Sequence, residues 1–223
     1  PNGLLAAGRD LTARRLLEAY TKGIFPWFSN GQPVLWWSPD PRMVLFTDEL
    51  KISRSFAKTL RNAARDTSIE LRIDADFDAV IQACAAPRGD EAGTWITDSV
   101  ADAYIELHRR GLAHSIETWV GGRLAGGLYG VALGRMFYGE SMFSRVPDAS
   151  KIALAALVRV MRTERVRVID CQQKTRHLAS LGAREISRRA FVAHWNASVR
   201  AAPINWAAYT GRLLNALLTD LGS

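Results

Sequence analysis

Apolar positions recur along this chain at helical and strand spacing by turns, and the changes of period mark its elements. Leu16, Leu17 and Tyr20 share one face of Thr12–Lys22, with Thr12 placed to cap and Gly23 to stop, which predicts a short helix. Arg42–Thr47 is apolar and reads as a first strand. A helix follows from a Ser53 cap to about Arg65, with Phe56, Leu60, Ala63 and Ala64 on its inner side. Ile69–Ile73 alternates as a strand, and Asp76–Ala85 packs Phe77, Val80, Ile81 and Cys84 as a helix. Asp98–Arg110 is predicted helical, capped by Asp98 and stopped by Gly111. His114–Trp119 and Arg123–Ala132 flank Val120-Gly121-Gly122, a hairpin signal. Further on come a strand end at Met136–Tyr138, a helix over Asp148–Arg162 that Asp148 can cap, and a β-branched strand at Val166–Asp170. Lys174–Gly182 reads as a short helix and turn. Ser187–Val199 reads as a helix with Phe191, Val192 and Trp195 inward, and Gly211–Leu221 as an amphipathic helix.

Strand, helix and strand over 136–170 make a βαβ unit, whose strands lie parallel and adjacent. Glu140 and Asp170 then fall at the carboxyl ends of neighbouring strands, where open α/β sheets hold ligands. Alternation sets Asp170 and Gln172 on one face and Cys171 on the other. One acid at a strand end is more often a cap or a surface charge. Two acids and an amide beside Gly139, Phe137, Tyr138 and Phe143 bring a reactive crevice level with that reading, and spacing alone goes no further. Antiparallel strands leading into a βαβ unit predict an α/β protein with a mixed sheet, an order compatible with an acetyltransferase-like (GNAT-type) fold.

Gly23–Pro41 breaks the pattern. Its prolines forbid a helix and most ladder pairing, so its tryptophans and phenylalanines must be buried by a neighbour or serve as a stacking surface. Pro39-Asp40-Pro41 divides a small N-terminal domain, 1–40, from a main domain, 41–223. On the predicted helix after Ser53, Arg54, Lys58, Arg61 and Arg65 align on the face opposite the apolar one. No acid at helical spacing neutralises this row, which suits a phosphate backbone.

The remaining composition mostly excludes. The net charge of +7 is compatible with a polyanionic partner but does not by itself identify one. Cys84 and Cys171 lie far apart in apolar surroundings and read as free thiols of a reducing cytoplasm. The histidines have no metal-ligand spacing, and no apolar run is long enough for a membrane span. Gly139-Glu140-Ser141-Met142-Phe143 begins like a nucleophile elbow but ends in phenylalanine. Dinucleotide and phosphate loops are missing from the sequence. The turn Ser144–Asp148 has no glycine with which to hold the pyrophosphate of coenzyme A. An acyl-CoA-dependent N-acyltransferase and a non-catalytic RNA-binding module remain the alternatives to be tested.

Four motifs carry a resemblance. They are G-I-F-P-W-F-S-N-G-Q-P-V-L-W-W-S-P-D-P-R at 23–42, G-T-W-I-T at 93–97, F-Y-G-E-S-M-F-S-R at 137–145, and I-D-C-Q with H-L-A-S-L-G-A within 169–183. In this order, over about Pro1 to Arg200, they resemble the bacterial leucyl/phenylalanyl-tRNA–protein transferase family. Gly8-Arg9-Asp10-Leu11 departs slightly, since the family usually has a second glycine there. The resemblance implies a cytoplasmic enzyme acting without metal or CoA and with a GNAT-like main domain; no other cofactor is expected, and a monomer is the expectation although the sequence does not fix the oligomeric state. It implies that leucine or phenylalanine moves from aminoacyl-tRNA to an N-terminal arginine or lysine, tagging the acceptor for N-end-rule degradation. It carries a catalytic pair onto Asp170 and Gln172 and a further essential acid onto Glu140. Aromatic contacts to the terminal adenosine fall on Trp27 and Trp95. The apolar amino-acid pocket falls on Leu128, Phe137, Leu157 and Ile169; relatives often carry methionine and phenylalanine at 128 and 157. A tRNA-binding helix falls on Arg54, Lys58 and Arg61, the row that spacing extends to Arg65. The expected arrangement has Asp170 accepting from the Gln172 amide, so that the amide oxygen faces the attacking amine.

Overall fold

The computed structural model describes residues 2–87, 94–211 and 214–221. The proline-rich stretch, expected to resist pairing, forms a small sheet with the chain's start. β1 (Leu4–Gly8) precedes helix α1 (Ala13–Tyr20), and two short strands follow, β2 (Phe25–Pro26) and β3 (Val34–Trp37). The order is β1-β3-β2, antiparallel throughout. Ladder pairing survives because β3 has no proline within it, while Pro26 sits on the edge strand β2.

The main sheet has seven strands. β4 (Arg42–Phe46) leads through a short 3-10 turn to helix α2 (Arg54–Arg65), then β5 (Ile69–Ile73), α3 (Phe77–Ala85) and α4 (Asp98–Arg109). A meander follows, β6 (Ala113–Val120), β7 (Arg123–Leu133) and β8 (Met136–Ser144). Gly121 and Gly122 both take positive φ, 56° and 74°, as the expected hairpin turn requires. Helix α5 (Ala149–Thr163) crosses to β9 (Val168–Gln172), which lies parallel to β8. The chain closes with α6 (Arg176–Ser180), β10 (Arg184–Ile186), α7 (Arg188–Val199) and 3-10 turns at Trp206–Ala208 and Asn215–Leu221.

The order β10-β4-β9-β8-β7-β6-β5 has one parallel pair, the expected βαβ unit, in an otherwise antiparallel sheet. The expected mixed α/β fold is therefore present. Its two faces carry two cores. One packs α1, α3, α4 and Phe191 of α7 with the small sheet; the other packs α2, α5 and the C-terminal segment. That segment guards an open edge: Leu214 N–H bonds the Leu71 carbonyl at 3.0 Å, and Asn215 Oδ1 accepts from the Leu71 N–H at 2.9 Å.

Several local expectations differ. Asp148 does not cap α5; its φ is 63° and its carboxylate binds Lys151 at 2.7 Å instead. Thr97, not Asp98, precedes α4. Val192 faces solvent, because α7 lies on the surface and buries only Phe191 fully. The tail is 3-10 rather than a regular amphipathic helix. β9 begins two residues later than apolar patterning suggests.

Candidate active site

Glu140 lies inside β8, not at its end, and a bulge aims it. Tyr129 pairs with Ser141 and Gly130 with Gly139, so Glu140 opposes no residue of β7. A Cβ at position 130 would strike the Phe137 ring and the Tyr138 carbonyl, so glycine is required there. The Glu140 carboxylate turns toward α1 and α4. It accepts from Tyr20 Oη at 2.6 Å, Tyr104 Oη at 3.0 Å and Gln172 Nε2 at 2.7 Å. The two phenols also touch at 2.6 Å. Tyr20 is held from behind, its carbonyl receiving Tyr138 Oη at 2.8 Å and Trp195 Nε1 at 3.3 Å. Burial pushes the Glu140 carboxyl up to about 7, and the Asp170 charge adds to this against three hydrogen bonds that favour the anion. Burial raises both phenols well above their usual range, so they stay protonated, and their two protons are shared among the two contacts to Glu140 and the contact between them.

Asp170 stands otherwise than expected. It is fully buried, and Arg42, equally buried, binds both its oxygens, Nε to Oδ1 at 2.8 Å and Nη2 to Oδ2 at 2.6 Å. The guanidinium lies between the rings of Phe25 and Phe191, 4.6 and 4.5 Å from their centroids. The expected bond from the Gln172 side chain to Asp170 is not formed. Asp170 Oδ1 accepts the Gln172 backbone N–H at 2.9 Å, while the Gln172 amide goes to Glu140. The physical reason is a second bulge: Met43 pairs with Gln172 and Val44 with Asp170, so Cys171 is extra and Gln172 takes a φ of 62°. Burial raises the Cys171 thiol, which suits packing rather than nucleophilic attack.

Trp27 is 45% exposed and packs edgewise on Trp37, and Trp95 is half-buried with its ring 6.4 Å from that of Tyr104. Leu128, Phe137, Leu157 and Ile169 do come together, all buried in the second core. They lie on the sheet face opposite Tyr138, the Glu140 carboxylate and Asp170. The β8–β9 pairing ends between the two groups, at Tyr138 and Asp170. Arg54, Lys58, Arg61 and Arg65 are all exposed on α2, as their spacing predicts. Sequence reasoning missed Arg42, Tyr20 and Tyr104 as site residues. One signal was available for the tyrosines: a phenol on a buried helix face needs a hydrogen-bond partner. Among the described residues no group of side chains could hold a metal, and no helix is long and apolar enough to cross a membrane.

A carboxylate fixed by neutral donors and bonded to a carboxamide, beside the parallel pair of a mixed sheet, has the chemistry to receive an amine, as a transferase of the acyl-transfer class requires. Comparison with known proteins makes this specific. Residues 44–196 match the family model described as leucyl/phenylalanyl-tRNA protein transferase, and residues 9–40 match that of its N-terminal domain. A leucyl/phenylalanyl-tRNA–protein transferase of Paraburkholderia phymatum is 63% identical over 205 residues, 92% of this chain and 84% of the relative. One of Burkholderia pseudomallei is 58% identical over 222 residues, 99% of this chain and 87% of the relative. A solved structure from Streptococcus suis, named a GCN5-related N-acetyltransferase-like protein, matches at 13% identity and a TM-score of 0.34, over 78% of this chain and 64% of that one, too little to carry an argument. The chain belongs to the leucyl/phenylalanyl-tRNA–protein transferase family, and it is an aminoacyltransferase.

Proposed function

We propose that this chain moves leucine or phenylalanine from aminoacyl-tRNA onto acceptor proteins that begin with arginine or lysine, marking them for degradation, and that it works as a cytoplasmic monomer. The division at 40/41 separates a domain that lends Tyr20 and Trp27 from one that supplies the remaining groups. The observation that carries the chemistry is the Gln172–Glu140 bond at 2.7 Å. An ionised carboxylate only accepts, so this bond presents the N–H end of the amide to Glu140 and turns its Oε1 toward an incoming amine. Glu140 thus takes the orienting role expected of Asp170. A carboxylate offers about four lone-pair positions, and Tyr20, Tyr104 and Gln172 use three, leaving one for an ammonium group of a substrate.

The aminoacyl ester is already activated, so positioning dominates. The acceptor amine attacks the ester carbonyl, the carbon–nitrogen bond forms, the bond to the ribose oxygen breaks, and one proton passes from the amine to that oxygen. Free α-amines have a pKa near 8, so a useful fraction is neutral at pH 7. Asp170 and Arg42 act as positioning residues: they hold the Gln172 backbone in its left-handed conformation and touch no substrate. Trp27 and Trp95 receive the terminal adenosine. The aminoacyl side chain passes where β8 and β9 part, toward Leu128, Phe137, Leu157 and Ile169. Arg54, Lys58, Arg61 and Arg65 meet the tRNA backbone. The decisive experiment mixes labelled Leu-tRNA with a peptide beginning in arginine; label in the peptide is expected. Label that required acyl-CoA instead, or tRNA binding with no transfer, would overturn the reading.

A further inference from the structure

A cleft of about 410 Å³ lies between the small sheet and the start of α4, lined among others by Gly8, Arg9, Phe28, Asn30, Gln32 and Thr97. No role described above uses it. Its place in the molecule is informative. Along the main domain, Tyr104 touches Glu140, Trp95 lies beside Tyr104, and Thr97 and Ser99 at the other end of α4 line the cleft. Along the small domain, Tyr20 touches Glu140, and Trp27 is the chain neighbour of Phe28, which lines the cleft with Asn30. Each wall therefore carries a group bonded to the carboxylate and a tryptophan within two residues of the cleft lining. If the tryptophans hold the terminal adenosine with its ester toward Glu140, the strand leading to that adenosine departs on the cleft side.

We propose that this cleft is a subsite for the nucleotide preceding the terminal adenosine of the donor RNA, an inference that rests on the reading above. Its volume suits one nucleotide, being at the small end of the roughly 300–1,000 Å³ of ligand pockets. Its chemistry suits one as well. Arg9 is an exposed cation with no side-chain partner among the described residues, placed to meet a phosphodiester. Phe28 and Pro33 give apolar surface for a base, and base–aromatic stacking tolerates any sequence. Asn30 and Gln32 offer amides to a base edge: Gln32 Oε1 already accepts from the Ser29 N–H at 2.9 Å, which leaves its Nε2 as a donor. Thr97 Oγ1 bonds Ser99 Oγ at 3.0 Å rather than capping α4, so the first backbone amides of the helix keep their donors. Asp98 adds a carboxylate to that first turn and is not among the lining residues.

The test compares two minimal donors, the leucyl ester of adenosine and the leucyl ester of the dinucleotide cytidylyl-adenosine, with a peptide beginning in arginine as acceptor. In the native chain the added nucleotide should raise kcat/KM about tenfold, by about the 1.4 kcal/mol that such a factor represents. In the double variant Arg9→Ala/Asn30→Ala the ratio between donors should fall to about one. Arg14→Ala, an exposed cation outside the cleft, should leave the ratio as it was. Equal use of both donors by the native chain, or a ratio that survives the double variant, overturns the subsite alone. A native chain that used neither donor nor charged tRNA would overturn the proposed function itself.

Discussion

Two neighbouring acids, Asp170 fully buried and Glu140 partly so, are treated in opposite ways by this fold. Asp170 is answered by a full charge, with Arg42 taking both its oxygens and two aromatic rings sealing the pair. Glu140 is answered only by neutral donors, two phenols and a carboxamide. Such donors soften the desolvation of an anion without cancelling it, so the Glu140 carboxyl rests at about 7 and retains an unmet demand for positive charge. The first arrangement builds a rigid support; the second builds a receptor for an ammonium group. A carboxylate whose two oxygens are both taken by a buried guanidinium has little left to offer a substrate, whereas an incompletely compensated acid does.

The largest effect expected from this contrast is on the support. Asp170→Asn strands the Arg42 guanidinium in the core, and breaking a buried pair in this way costs about 3–5 kcal/mol. Denaturant unfolding should report that loss, together with a fall in transfer rate. Replacing both partners, Arg42→Met with Asp170→Leu, should recover much of the stability but not the rate, because Gln172 still lacks its backbone anchor. A double variant with full transfer activity would show that Asp170 positions nothing.

Glu140→Gln should do the reverse, losing transfer while gaining stability in alkaline solution. The folded-state value of about 7 stands above the ordinary 4.5. The proton is therefore held more tightly when folded, and the stability this confers is complete below about pH 4.5 and lost as pH rises through 7. At about 1.4 kcal/mol per pH unit the native chain gives up roughly 3 kcal/mol that the glutamine variant does not. Unfolding free energies of the two chains, compared at pH 5 and pH 8, should diverge by that order. A constant difference would mean that Glu140 does not titrate in this range.

A smaller effect belongs to Tyr104→Phe. Its hydroxyl bond favours the Glu140 anion, so removing it should carry the carboxyl further above 7 and shift the acid limb of the rate–pH profile upward. The loss of one such bond is worth about 1–3 kcal/mol at most, and Tyr20 and Gln172 remain. An acid limb that stayed put would remove Tyr104 from the site.

The sequence by itself determined the elements whose information is local. The Gly121-Gly122 turn, the Ser53 cap and the cation row on α2 follow from residue type and period, and so does the βαβ unit. Quoted motifs sufficed for the family. What only the tertiary structure decided are the two bulges, the carboxamide's choice of Glu140 over Asp170, and the burial of Arg42. Periodicity assumes that alternation continues unbroken along a strand, and one inserted residue reverses every assignment beyond it. Whether an acid becomes a support or a receptor depends on which side chains from distant segments close around it. For Asp170 the partner comes 128 positions earlier in the chain, and for Glu140 the phenol of Tyr20 comes 120 positions earlier, separations over which no local pattern carries information.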